Sequence, residues 1–263
     1  MQFAQVNGAR IAWLLEGRAG LPVVMLSNSL MSTHQMWRPQ MEALLAHFRV
    51  LRYDTRGHGE SETTPGPYSI ELLADDAAAL IEAAGTGAVH FVGLSMGGMI
   101  GQQLAVRHPQ RVKSLSLCDT ASEMPPRSLW EERFATAREH GIPGLVDGTI
   151  KRWFVASFVE REPQQIDFVR EMILQTKPEG YIACASAVRD MSQTHILSHI
   201  QAPTQVIVGR DDPACTLAAS EVLHRHIQGS TLHVIDDAAH LANIEKPQQF
   251  SQLLVDFISA QSR

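Results

Sequence analysis

The most constraining feature of this sequence is a glycine-flanked serine, Gly93-Leu94-Ser95-Met96-Gly97-Gly98, between two predicted elements. The apolar run 89–93 predicts a buried strand before it, and 99–107 predicts an amphipathic helix after it. A Gly-x-Ser-x-Gly motif in this context is typical of a sharp strand-to-helix turn that lifts the serine hydroxyl clear of a sheet. We therefore predict that Ser95 is a nucleophile.

Short apolar runs rich in Val, Ile and Leu recur along the chain and predict parallel strands covered on both faces. They lie at 23–26, 50–53, 89–93, 115–118, 205–209 and 232–235. Asn7-Gly8, between 3–6 and 11–15, predicts an N-terminal hairpin because both residues tolerate positive φ. Helical periodicity at 70–84 and 250–258 completes an alternation that indicates an α/β fold with a mostly parallel sheet flanked by helices.

The middle of the chain, residues 121–191, differs because it contains no convincing strand. Helix-like stretches are separated there by Pro125-Pro126, by the segment 141–144, and by Pro163 and Pro178. We predict an all-helical lid inserted between two parts of one core, 1–120 and 192–263. Its aromatic residues suit either a lid over an apolar cleft or a small core of its own: Trp130, Trp153, Phe154 and Phe158.

A serine nucleophile needs a base and an acid that orients the base, expected in the chain order Ser, Asp or Glu, His. His240 follows the last predicted strand and is the predicted base. Asp212 follows the strand at 205–209 and is the favoured acid, with Asp211 and Asp119 as alternatives.

The tetrahedral intermediate also needs N–H donors for its oxyanion. The predicted donors are Met96, directly after the nucleophile, and Leu30, in the loop 27–30. The segment 54–59, Asp-Thr-Arg-Gly-His-Gly, is predicted to be a structural turn rather than a catalytic element.

Composition excludes several classes. A net charge of -6 argues against nucleic-acid binding, although one well-placed arginine is enough to hold a small anion. No apolar run is long enough to cross a bilayer, so no membrane association is expected, and the N-terminal residues lack a signal-peptide pattern. Three scattered cysteines, Cys118, Cys184 and Cys215, fit reduced thiols, and no metal or nucleotide motif calls for a cofactor. We expect a cytoplasmic protein; its oligomeric state is not predicted.

Several longer stretches, spread over roughly residues 26–250, form a recognisable set. They are Leu26-Ser27-Asn28-Ser29-Leu30, Met36-Trp37, 48–59, 66–70, Gly93–Gly98, Arg152-Trp153-Phe154, Gly180-Tyr181, Arg189-Asp190, Ala239-His240 and Asn243-Ile244-Glu245. Together they resemble the 3-oxoadipate enol-lactonases, a family with the α/β-hydrolase fold. Asn28-Ser29, where many relatives carry His-Gly, is more specific than the serine motif itself.

The resemblance implies hydrolysis of a small anionic lactone in the β-ketoadipate pathway of aromatic catabolism. It carries Ser95, Asp212 and His240 onto the catalytic triad, with Asp212 favoured by the family's Gly-x-x-Asp spacing. It also carries Leu30 and Met96 onto the oxyanion donors. Three lid residues correspond to family positions near the substrate: Trp130, Arg133 and Trp153.

The chain departs from the family pattern at three places. Met31-Ser32 replaces the usual Gly-Thr, Ala242 replaces a common Ser, and Asp119 replaces an Asn. Arg189 competes with Arg133 as the anchor of the substrate carboxylate. The alternatives are a related hydrolase of another small ester, lactone or carbon–carbon substrate, with or without perhydrolase side activity, and a catalytically silent binding protein.

Overall fold

The computed structural model describes residues 1–124 and 126–262 and contains one eight-stranded sheet. Its strands are β1 (Gln2–Val6), β2 (Ala9–Glu16), β3 (Val23–Ser27), β4 (Arg49–Tyr53), β5 (Val89–Leu94), β6 (Val112–Cys118), β7 (Thr204–Gly209) and β8 (Thr231–Ile235). Their order in the sheet is β1-β2-β4-β3-β5-β6-β7-β8, parallel from β4 to β8 and antiparallel at β1 and β2. The predicted mostly parallel α/β fold is confirmed.

The predicted hairpin and strands agree with the structure to within a few residues. Asn7 and Gly8 have φ of 43° and 76°, the left-handed conformation that a tight hairpin turn requires. Strands β3, β5 and β7 are buried along their whole length. Burial on both faces explains why they are almost continuously apolar.

Helices cover the sheet and fill the segment between β6 and β7. They are α1 (Met41–Leu45), α2 (Ile70–Ala83), α3 (Met96–Arg107), α4 (Arg127–His140), α5 (Pro143–Trp153), α6 (Ala156–Arg161), α7 (Pro163–Leu174), α8 (Pro178–Asp190), α9 (Leu217–His226), α10 (Ala242–Glu245) and α11 (Pro247–Gln261), with 3₁₀ helices His34–Gln40, Pro109–Arg111 and Thr194–His199. The prediction for α3 was wrong at its start, because the helix begins at Met96 rather than at residue 99. Gly97 and Gly98 belong to it despite their low helix propensity, since tertiary contacts outweigh propensity.

Helices α4 to α8, the inserted helices, separate β6 from β7. Their two flanks meet at a bridge between Glu123 and Ser192 and at a hydrogen bond from the Gln193 N–H to the Ser122 carbonyl (2.8 Å). Pro125, predicted to interrupt a helix, lies outside the described residues. The division into core and lid at 121–191 stays a prediction.

Two further expectations concern the cysteines and the membrane. All three cysteines are buried and form no disulfide in the described chain. Within residues 1–124 and 126–262, no helix has the length and apolarity needed to span a bilayer.

Candidate active site

Ser95 lies at the junction of β5 and α3 in a strained conformation, with φ 56° and ψ -117°. The flanking glycines permit this turn: a Cβ atom at Gly93 would lie 2.1 Å from the Gly97 carbonyl oxygen, and one at Gly97 would lie 2.2 Å from that of Ser27. The Ser95 N–H donates to the Cys118 carbonyl (2.9 Å), and the Thr120 hydroxyl donates to the Ser95 carbonyl (2.7 Å). The packed surroundings therefore maintain the strain at this serine.

His240 follows β8, and its imidazole is buried beside a carboxylate. Its Nδ1 lies 2.8 Å from Oδ2 of Asp212, and Oδ1 of Asp212 accepts from the N–H groups of Ala214 (2.7 Å) and Cys215 (3.0 Å). A carboxylate held by three donors keeps a proton on Nδ1 and leaves Nε2 as the acceptor. This is the arrangement that a general base requires.

The structure distinguishes between the acid alternatives. Asp119 is wholly buried, and its Oδ1 accepts from the Gly209 N–H (2.7 Å), whereas its Oδ2 has no partner in the described chain. Burial, reinforced by the negative charge of Asp212, raises the pKa of the Asp119 carboxyl well above its usual value. Asp211 is exposed. Asp212 is thus the carboxylate that pairs with His240, and Asp119 is a buried neighbour whose carboxyl pKa is raised.

In the loop after β3, the residues on either side of Leu30 donate their N–H groups to side chains. Ser29 donates its N–H to the sulfur of Met36 (3.3 Å), and Met31 donates its N–H to Nε2 of His58 (3.0 Å). In the loops and helix caps of the described chain, the N–H groups of Leu30 and Met96 donate to no protein acceptor. Both predicted oxyanion donors are therefore available to a ligand.

His58, in the predicted structural turn, supports this loop. Burial lowers its pKa to about 4, so the ring is neutral near pH 7 and accepts the Met31 N–H. Met31 has φ 63°, a conformation that favours glycine. The Met31 side chain also lines the cavity described next.

One cavity contains Ser95 and His240 and is closed by the inserted helices. Its wall includes Leu30, Met31, Trp130, Arg133, Thr149, Arg152, Trp153, Tyr181 and Cys215. The ring centroid of Trp153 lies 6.3 Å from that of His240. The predicted substrate-binding residues Trp130, Arg133 and Trp153 all contribute to this wall.

Sequence reasoning missed Arg152 and Tyr181, which line the same cavity. Both lie within stretches that resemble the enol-lactonases, and this was the available signal. The alternative anchor, Arg189, is not in the wall: it forms ion pairs with Glu131 and Asp190 (both 2.6 Å). Because these two carboxylates neutralise Arg189, it was the wrong candidate for the residue that anchors the substrate carboxylate.

Glu245 connects the histidine loop to the inserted helices. Its two carboxylate oxygens accept from the N–H groups of Val155 (2.8 Å) and Ala239 (2.5 Å). Burial raises the pKa of Glu245 to about 7, and these two hydrogen bonds oppose that rise. Glu245 thus holds the residue before His240 at a fixed place under α6.

One group of potential metal ligands exists among the described residues. Atoms of Asp212, Cys215 and His240 lie within 4.8 Å of one another. The carboxylate and the imidazole are already paired, and burial together with the charge of Asp212 raises the pKa of the Cys215 thiol well above its usual value. A protonated thiol is a poor metal ligand, so the group fits a catalytic pair better than a metal centre.

Comparison with known proteins agrees with this geometry. Residues 17–247 match the alpha/beta hydrolase fold family model. The chain is 35% identical to 3-oxoadipate enol-lactonase 2 of Acinetobacter baylyi, over 89% of this chain and 88% of that protein. It superposes on the enol-lactonase from Burkholderia xenovorans LB400 with a TM-score of 0.96, at 38% identity, covering 98% of this chain and all of that one.

More distant relatives carry another name. A putative carbamate hydrolase RutD of Agrobacterium fabrum is 27% identical over 91% of this chain and 94% of that protein. All these similarities span nearly the whole length of the chain, inserted helices included. The chain belongs to the α/β-hydrolase fold family.

Proposed function

We propose that this protein hydrolyses 3-oxoadipate enol-lactone to 3-oxoadipate through an acyl-enzyme on Ser95. The observation that carries the proposal is one cavity lined by Ser95, by the Asp212-paired His240 and by an arginine, Arg133, that forms no ion pair in the described chain. Similarity to enol-lactonases over nearly the whole chain supports the same substrate.

In the first half-reaction, His240 Nε2 takes the hydroxyl proton of Ser95 as Oγ attacks the lactone carbonyl. The N–H groups of Leu30 and Met96 stabilise the oxyanion, each contributing about 3 kcal/mol. When the intermediate collapses, the bond from the carbonyl carbon to the ring oxygen breaks. The enol oxygen leaves, is protonated by His240, and the enol becomes a ketone.

In the second half-reaction, His240 removes a proton from water, which attacks the acyl-enzyme. Collapse of this second intermediate returns the proton to Ser95 and releases 3-oxoadipate. Asp212 keeps the imidazole in the tautomer that both steps need and stabilises its protonated form. The net change is the addition of one water molecule to the lactone.

The substrate carries a carboxymethyl group, and Arg133 provides a charge for that carboxylate. Trp130 and Trp153 supply apolar walls for the lactone ring. In this proposal the inserted helices act as the lid of the site, and the reaction is a cytoplasmic step of the β-ketoadipate pathway.

A second candidate is hydrolysis of a different small ester, lactone or carbon–carbon substrate. The favouring observation is Met31, whose side chain narrows the cavity where enol-lactonases usually have glycine. The resemblance to putative carbamate hydrolases adds a small carbamate to this group.

The test is to supply enzymatically generated 3-oxoadipate enol-lactone and to follow the loss of its ultraviolet absorbance. Ser95→Ala is the control and should reduce kcat by about 10⁶-fold, as removal of a triad serine does. Labelling with a fluorophosphonate probe reports independently whether Ser95 is reactive. A protein that labels at Ser95 but leaves the lactone intact would refute the substrate and keep the hydrolase. A protein that neither labels nor turns over would support a silent binding protein.

A further inference from the structure

Two guanidinium groups lie in the wall of the catalytic cavity, those of Arg133 on α4 and Arg152 on α5. Arg133 stacks over the ring of Trp130, with 4.8 Å from its Cζ to the ring centroid. Arg152 donates to the hydroxyl of Thr149 (3.2 Å). Within the described part of the chain, neither arginine forms a salt bridge.

Four of the five other arginines of the inserted helices are neutralised; Arg138, over the ring of Phe134, is the exception in the described chain. Arg127, Arg161, Arg170 and Arg189 each lie within 4 Å of a carboxylate oxygen. The chain has 28 acidic against 22 basic residues, so carboxylates are plentiful. Most arginines of these helices thus have a carboxylate partner, and the two in the cavity wall have none among the described residues.

The two charges affect each other. Burial, reinforced by the positive charge of Arg133, lowers the pKa of Arg152 to about 10, against a smaller opposing effect of Tyr181. Burial raises the pKa of Tyr181 to about 12, so its phenol is neutral at pH 7 and can donate a hydrogen bond. Two neighbouring cations in a partly desolvated wall are unfavourable until an anion joins them.

We propose that Arg152 and Arg133 together form a carboxylate subsite, in which one carboxylate lies between two guanidinium groups and Tyr181 is a neutral donor beside it. Arginine suits this role because its planar fork matches a carboxylate with two parallel hydrogen bonds. Arg152 is then a specificity-determining residue that selects anionic over neutral substrates. The inference rests on the proposed function in placing the reacting carbonyl at Ser95, in the same cavity.

The subsite predicts a class of non-reactive ligands. A linear dicarboxylate with the six-carbon chain of the product, adipate, can place one carboxylate at the two arginines and the other at the N–H groups of Leu30 and Met96. The neutral chain of the same length, 1,6-hexanediol, has no group for the arginines. We expect adipate to bind and 1,6-hexanediol to bind at least tenfold more weakly.

Isothermal titration calorimetry of adipate provides a test that needs no turnover. Arg152→Met and Arg133→Met should each raise the Kd for adipate at least tenfold, and Arg152→Lys should give an intermediate value because it keeps the charge but loses the fork. Arg161→Met is the matched control, since this exposed arginine is outside the cavity, and should stay within twofold of the wild type. Circular dichroism melting confirms that each variant is folded.

The proposal is wrong if the wild type does not bind adipate, or if Arg152→Met binds it as tightly as the wild type does. Failure of the proposed function would give a different combination of binding and turnover results. Adipate binding that depends on Arg152, without turnover of the enol-lactone, would keep the subsite and refute the lactone. Lactone turnover without such dependence would keep the lactone and refute the subsite.

Discussion

Replacement of Asp119 by asparagine tests which of the two buried carboxyl groups, Asp119 or Asp212, carries a negative charge. Burial and the charge of Asp212 raise the pKa of the Asp119 carboxyl well above 3.8, and we expect this carboxyl group to be protonated in the folded protein. The unfolded chain ionises this group above about pH 4. Unfolding then releases one proton, so stability is fully present below pH 4 and falls as the pH rises.

The slope follows from linkage: one proton released on unfolding costs about 1.4 kcal/mol of unfolding free energy per pH unit. From pH 5 to pH 7 the wild type should therefore lose about 2.7 kcal/mol relative to Asp119→Asn, which cannot ionise. The buried histidines His58 and His90, whose pKa values burial lowers to about 4, titrate alike in both proteins and cancel in the difference.

The assay is urea unfolding of both proteins at pH 5, 6 and 7. Parallel curves of unfolding free energy against pH would refute the argument, since they would mean that Asp119 is ionised in the folded state.

Measurement of turnover in the two aspartate variants adds a second check. Asp119→Asn should stay active, whereas Asp212→Asn should lose about 10⁴-fold in kcat, the loss typical of a triad aspartate. A similar loss in both variants would contradict the pairing of His240 with Asp212.

Three further predictions concern the loops around the site. Asp76→Ala leaves the buried guanidinium of Arg56 without its bidentate partner (2.7 and 2.8 Å), and urea unfolding should show a loss of about 3–5 kcal/mol; a loss below 1 kcal/mol would contradict this. His58→Ala removes the acceptor of the Met31 N–H and should cost about 1–3 kcal/mol of stability and lower kcat more than it changes KM, whereas an unchanged kcat would mean that the oxyanion loop does not need this bond. Met31→Gly removes a cavity side chain at φ 63° and should raise kcat/KM for bulky p-nitrophenyl esters relative to the acetate, and an unchanged ratio would show that Met31 does not limit the cavity.

The α/β fold, the hairpin and the strained serine were predictable because each leaves a local pattern. Buried parallel strands require continuous apolar runs, a tight hairpin requires residues that accept positive φ, and the turn at Ser95 requires glycine where backbones approach closely. These conditions act within about ten residues of chain. The patterns that they impose can therefore be recognised in the sequence without knowledge of the tertiary contacts.

The start of α3 was less predictable, because packing against the Ser27 carbonyl and Thr120 favours glycine where helix propensity does not. The choice among Asp119, Asp211 and Asp212 was likewise open, since all three lie near the ends of β6 and β7. Only the crossing of chain segments 28 residues apart brings His240 to Asp212.

The arginines show most clearly what the sequence could predict and what it could not. The sequence by itself determined that the chain would form an α/β core with a strained serine after β5 and a histidine after the last strand. It could not show that Arg189 is neutralised by Glu131 and Asp190, while Arg133 and Arg152 face the cavity without a carboxylate. The tertiary structure decided this, because the charge that a ligand meets depends on which side chains converge in space, and residues far apart in the chain supply them.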